Sequence, residues 1–205
     1  MYVKLCGITR PADAVLAADL GADAIGLNFW PSSLRYVGDG AAKIADAVRG
    51  RLTLVGVFVD APAAVVLEVL DRHGLDFAQL HGSEKPQECT AIPRERWYKA
   101  LRATDRSVLS TMDAFPCSCF LLDAGRPGQP GGTGETCDWT IAAEAARSRR
   151  IVLAGGLGAH NVGDAIRAVR PYGVDAASGI EESPGIKDPQ KMRAFVEAVR
   201  AVQVT

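Results

Sequence analysis

Eight short apolar runs, alternating with stretches of helical period, constrain the fold of this 205-residue chain more than any other feature. The runs are Tyr2–Cys6, Ala24–Phe29, Leu52–Val59, Phe77–Leu80, Tyr98–Leu101, Cys119–Asp123, Ile151–Ala154 and Val174–Ala177. Most are apolar nearly throughout, as parallel strands are when both faces of their sheet are covered. Between them, Pro11–Leu20, Ala41–Val48, Pro62–Arg72, Cys137–Ala146, His160–Val169 and Pro189–Val202 read as helices. Ala63–Leu70 is so densely apolar that its period is weak, and length and position assign it. Lys85–Ile92 and Thr104–Ala114 each have room for a short helix. Thr9-Arg10-Pro11 and Asp60-Ala61-Pro62 read as helix starts, each with a polar cap candidate just before a proline. This order predicts an α/β chain folded as one (β/α)8 TIM barrel over residues 1–205. An open doubly wound sheet is the alternative, but it rarely uses so many evenly spaced units.

Composition narrows the partners. The chain has 23 Lys and Arg against 24 Asp and Glu, a formal charge of −1, which gives no electrostatic reason to expect nucleic acid or an anionic membrane. No apolar run approaches the ~20 residues that span a bilayer. The chain enters Val3-Lys4-Leu5-Cys6 almost at once, without a leader pattern. The five cysteines form an odd set without repeated spacing, which suits a reducing compartment. The expectation is a cytoplasmic protein, monomer or homodimer, whose partner is a small phosphorylated substrate.

In a barrel the loops after the strands gather on one face, so strand ends and the turns beyond them carry the chemistry. After the seventh run comes Gly155-Gly156, and after the eighth Ser178-Gly179. Paired turns of this kind let backbone N–H groups converge on one anion, at the place where barrels commonly hold phosphate. The same glycines can equally serve tight turns alone. Gly131-Gly132-Thr133-Gly134, after the sixth run, reads as a lid that lends donors to that phosphate, or as a plain loop. Cys6 ends the first run and points to the barrel mouth if it shares an inward parity with Lys4. There a thiolate can abstract a proton, although a cysteine is often just a small buried hydrophobe. Asp123 ends the sixth run, where desolvation would raise its pKa and keep a proton available for donation. Arg35 follows the second run and has the fork for a substrate carboxylate, or is a solvated loop arginine. His81 follows the fourth as a polar rim residue or minor acid–base group. A metal site is not expected, because only His81, Asp60 and Asp123 stand at suitable ends.

Many segments together carry a family resemblance. Lys4-Leu5-Cys6-Gly7-Ile8-Thr9, Arg35-Tyr36-Val37, Val55-Gly56-Val57-Phe58-Val59 and Gln79-Leu80-His81-Gly82 belong to it. So do Leu122-Asp123, Gly131-Gly132-Thr133-Gly134, Asp138-Trp139, Leu153-Ala154-Gly155-Gly156-Leu157, Ser178-Gly179-Ile180-Glu181 and Pro184-Gly185-Ile186-Lys187-Asp188. In this order the chain resembles the phosphoribosylanthranilate isomerases of tryptophan biosynthesis, from Val3 to about Asp188. The resemblance implies a (β/α)8 barrel and an Amadori rearrangement of N-(5′-phosphoribosyl)anthranilate to 1-(o-carboxyphenylamino)-1-deoxyribulose 5-phosphate, with no cofactor and no metal. It implies Asp123 as the acid that opens the ribose ring and Cys6 as the base that removes the C2′ proton. It implies Arg35 for the anthranilate carboxylate and the turns at Gly155-Gly156 and Ser178-Gly179 for the phosphate. Two departures are mild: the family usually has phenylalanine at Cys137 and serine at Ala177. The rival is the histidine-pathway isomerase, which rearranges a substrate with two phosphates. It has aspartate where Cys6 stands and a second glycine-rich cradle, which the turns after the third and fourth runs do not offer.

Overall fold

The computed structural model describes residues 1–123 and 139–202. Eight parallel strands close into a barrel: β1 (Tyr2–Cys6), β2 (Ala24–Asn28), β3 (Thr53–Phe58), β4 (Phe77–Leu80), β5 (Trp97–Arg102), β6 (Cys119–Asp123), β7 (Arg150–Leu153) and β8 (Gly173–Ala176), with β8 pairing back on β1. The helices are α1 (Pro11–Asp19), α2 (Ala41–Val48), α3 (Ala63–His73), α4 (Pro86–Cys89), α5 (Ser107–Ala114), α6 (Trp139–Ala146), α7 (Val162–Val169) and α8 (Pro189–Ala201). The expected TIM barrel is therefore the observed fold. Its strands match the apolar runs to within a residue at most ends.

The near-continuous apolarity of the strands has a direct cause. Outward residues such as Val3, Leu5, Ile25, Leu27 and Leu153 pack into the layer beneath the helices. Inward residues Ala24, Val55, Tyr98, Ala100, Leu121 and Val152 form a second, smaller cluster inside the barrel. Burying each large side chain contributes about 1.5–3 kcal/mol, so neither face of a strand can be polar without a compensating partner. Inside the barrel that exception is made by Lys4, Gln79 and Asp175, all buried and each bonded to another barrel side chain.

Helix starts differ from expectation in their chemistry. Pro11 does open α1, but its cap position is Arg10, and Thr9 instead donates its hydroxyl to the Gly185 carbonyl. Pro62 precedes α3, while the Asp60 carboxylate accepts from the Ser83 N–H at 2.6 Å rather than capping the helix. Both residues tie neighbouring loops together at the barrel mouth. A true side-chain cap occurs at α8, where Asp188 accepts from Gln190 and Lys191 N–H at 2.8 and 3.1 Å.

A small antiparallel hairpin, β9 (Glu181–Ser183) with β10 (Ile186–Lys187), follows β8 and was not foreseen. Its strands are two and three residues long, too short for any periodicity to register. It brings Glu181 and Lys187 to the mouth of the barrel.

Candidate active site

At the carboxyl ends of the strands lies a cavity of about 420 Å³. Cys6, Arg35, His81, Asp123, Gly155, Gly156 and Ser178 all line it. Sequence position alone had singled out each of these. Gly179 does not line it; it packs instead against the β7 loop, where an added Cβ would overlap the Leu157 carbonyl. Gly132 and the rest of the Gly131–Gly134 stretch, like Cys137, lie outside the described residues.

Cys6 and Asp123 enter from opposite parts of the wall, since β1 and β6 are separated by β7 and β8. Burial pushes the Cys6 thiol up from its ordinary value, and the neighbouring Lys4 ammonium pulls it back. Asp123 is 5% exposed, and its Oδ1 has no hydrogen-bond partner among the described residues. Its Oδ2 lies 3.3 Å from His81 Nε2. The histidine is oriented from below: Tyr98 OH donates to Gln79 Oε1 at 2.9 Å, and Gln79 Nε2 meets His81 Nδ1 at 2.7 Å. With its carbonyl end taken by the phenol, the amide offers N–H to Nδ1. That leaves the ring proton on Nε2, facing Asp123. Gln79 was legible only as part of a short motif; its inward parity, shared with His81, was the available signal.

Arg35 is held more tightly than a loop arginine would be. Its Nε and Nη2 donate to Glu181 at 2.8 and 2.6 Å, a two-pronged bond. Glu181 also accepts from Lys187 Nζ at 2.8 Å and from Gly185 N–H at 3.2 Å. One edge of the guanidinium is thus already engaged, which the sequence did not suggest. Burial on its own raises the Glu181 carboxyl, but the bonds from Arg35 and Lys187 outweigh it and hold the group below its ordinary 4.5. The folded state therefore binds fewer protons here than the unfolded chain. Its stabilising contribution is full above pH 4.5 and is lost as pH falls through the lower folded value. In acid thermal titrations, Glu181→Gln is expected to melt lower than wild type at neutral pH and to lose less between neutral pH and acid. Parallel curves for the two proteins would contradict this.

The two glycine turns meet as one surface. Gly155 and Gly156 have φ of 95° and 63°, left-handed conformations that side chains rarely adopt. Asn161 clamps this loop, accepting from Gly158 N–H at 2.9 Å and donating to the Gly156 carbonyl at 3.0 Å. The β8 turn, a single 3-10 turn over Ser178–Ile180, presses on it through Gly179. Gly179→Ala is expected to cost about 1–3 kcal/mol of stability, as overpacking does, and to weaken phosphate binding by spreading the turns. Unchanged urea unfolding and an unchanged KM would show that the turns are independent. Ala177, where a serine hydroxyl would stand in the resembled family, gives its carbonyl to Lys187 Nζ at 3.1 Å.

By contrast, three backbone donors in the turns after β3 and β4 are taken by the chain's own carboxylates. Glu84 Oε1 accepts from Asp60 and Gly82 N–H at 2.9 and 3.1 Å, and Asp60 takes Ser83 N–H. Buried Lys99 anchors Glu84 at 2.9 Å and bonds three nearby carbonyls. Among the described residues no three His, Cys, Asp or Glu side chains gather as a metal site requires.

Residues 3–198 match the model of the N-(5′-phosphoribosyl)anthranilate isomerase family. This chain belongs to that family. A curated member from Pelobacter propionicus is 49% identical over 199 residues, covering 97% of this chain and 95% of its own. The crystal structure of the Thermus thermophilus member superposes with a TM-score of 0.89 at 38% identity, covering 99% of this chain and all of that one. Another solved isomerase, in complex with reduced 1-(o-carboxyphenylamino)-1-deoxyribulose 5-phosphate, superposes at 0.84 with 34% identity, covering 98% of each chain.

Proposed function

We infer that this chain catalyses the Amadori rearrangement of N-(5′-phosphoribosyl)anthranilate in tryptophan biosynthesis. The observation that carries the mechanism is the single cavity holding Cys6 and Asp123 on opposite walls, with the joined glycine turns beside them. The substrate phosphate sits on the turns at Gly155-Gly156 and Ser178-Gly179, where backbone N–H groups meet it without a full counter-charge. The anthranilate carboxylate meets the edge of the Arg35 guanidinium that Glu181 leaves open.

Chemistry begins with two proton transfers, and tautomerisation then adds a proton at C1′ as the C2′ hydroxyl loses one. Asp123 protonates the ribose ring oxygen; the C1′–O bond breaks and the nitrogen lone pair forms a Schiff base. The Cys6 thiolate then takes the C2′ proton; the C–H electron pair forms the C1′=C2′ double bond and the C=N π pair moves onto the nitrogen, giving the enolamine. Tautomerisation yields the ketone. Between these steps Asp123 is a carboxylate, and the His81 Nε2–H beside it stabilises that charge. The cytoplasm is the proposed compartment; four free cysteines among the described residues suit it. Among the described residues no helix is long and apolar enough to cross a membrane.

A substrate with two phosphates fits this barrel poorly. Three N–H groups of the turns that would face the second, those of Asp60, Gly82 and Ser83, are bonded to the chain's own carboxylates, Glu84 and Asp60. Turnover of both aminosugar substrates by one preparation tests this. Conversion of phosphoribosylanthranilate alone is expected. Comparable kcat/KM for the histidine-pathway substrate would overturn the one-phosphate reading.

A further inference from the structure

One buried ion pair has no task in the mechanism above. Lys4 and Asp175 face each other inside the barrel, Nζ to Oδ2 at 3.0 Å, and are 0% and 6% exposed. Taking two charges out of water is costly, and apolar residues of similar volume would fill a barrel as well. Lys4 precedes Cys6 by two residues and so shares its inward side. On the neighbouring strand Gly26 stands in register with Cys6. A Cβ on Gly26 would lie 2.6 Å from Cys6 Sγ and 3.1 Å from Lys4 Nζ. The sulfur and the ammonium therefore converge over bare backbone, and only glycine leaves room for both. On the other side β8 sets Asp175 in register with Lys4. Its second oxygen, Oδ1, is buried without a hydrogen-bond partner among the described residues.

We propose that Lys4 is the counter-cation of the Cys6 thiolate, sharing its charge between Cys6 and Asp175. This rests on the reading of Cys6 as the base. A buried thiolate needs positive charge close by, and the two other cations that face it converge on one carboxylate of their own. Arg35, from the segment after β2, and Lys187, from β10, both face Cys6 but are bonded to Glu181. Tyr98, from β5, is the remaining titratable neighbour. Asp123 and His81 face Asp175 from the far wall. Desolvation pushes the thiol up, Lys4 draws it down and Asp175 opposes Lys4. Lys4 keeps its proton throughout: when the C2′–H bond breaks, an S–H bond forms at Cys6, and the ammonium turns fully to Asp175. Lys4 and Asp175 are thus positioning residues, acting on substrate only through the sulfur.

Alkylation of Cys6 by iodoacetamide across a pH series, read on the Cys6 peptide by mass spectrometry, measures the thiolate without using turnover. Cys89 and Cys119, both pushed up to about 11 by burial, are resolved as separate peptides. Lys4→Met is expected to raise the Cys6 midpoint by about one pH unit or more. Asp175→Asn removes the competing anion and is expected to lower it. Opposite shifts are the signature, because a merely structural role would move both variants alike. Midpoints equal to wild type, or shifts of the same sign, would overturn the proposal. Should Lys4→Met fail to fold, the nearly isosteric Asp175→Asn decides alone: an unchanged or raised midpoint overturns it. If the midpoints move in opposite directions while the pH profile of kcat/KM stays fixed, the counter-cation assignment stands and Cys6 loses its role as base.

Discussion

Asp123→Asn is expected to lower kcat by about 10²–10⁴-fold, the usual scale for a positioned acid. The amide keeps the size and planarity of the carboxyl group. It can still meet His81 Nε2 through its oxygen, so the Tyr98, Gln79 and His81 chain beneath it is left intact. What it cannot do is release a proton to the ribose ring oxygen as the C1′–O bond opens. Because the proposed phosphate and carboxylate contacts lie elsewhere in the cavity, affinity for a reduced product analogue should stay near wild type. A loss confined to KM would mean that Asp123 binds rather than protonates. Near-normal kcat would remove it from the chemistry.

Cys6→Ser is expected to cost a similar factor, about 10²–10⁴ in kcat, for a different reason. The hydroxyl occupies nearly the same space over Gly26, so packing of β1 against β2 is preserved. A serine hydroxyl is a far weaker acid than a thiol and supplies almost no anion at neutral pH. In wild type, burial already holds the thiol above its ordinary 9.0. The thiolate fraction is therefore small at neutral pH, and kcat/KM should climb as pH rises toward that value. The serine variant should lose this alkaline limb. Retention of both the rate and the limb would assign the base to another group.

Much of the fold was legible because barrel strands are covered on both faces. Runs such as Leu121–Leu122 or Ile151–Leu153 need no partner of a particular kind, only apolarity, and that is visible residue by residue. The strand ends carried the site for the same reason. A cysteine, a carboxylate and paired glycines interrupt apolar runs where a barrel opens to solvent. Other features rest on contacts distant in sequence, which no local pattern records. The bond from Arg35 to Glu181 spans 146 positions, and Lys4 to Asp175 spans 171. Thr9 and Asp60 look like helix caps locally, yet each is drawn to another loop by the closure of the barrel. The hairpin of β9 and β10 is too short to have a period, and only the convergence of Arg35 and Lys187 on Glu181 gives it purpose.

The central claim is that Cys6 and Asp123, on opposite walls of one cavity, isomerise a singly phosphorylated aminosugar. Its most direct test is the decay of anthranilate fluorescence when purified protein meets freshly generated phosphoribosylanthranilate. Rapid, saturable conversion to the ketone product, abolished in the Cys6→Ser and Asp123→Asn variants together, is the predicted result. Absence of conversion by folded wild-type protein, or full conversion by the double variant, would contradict it.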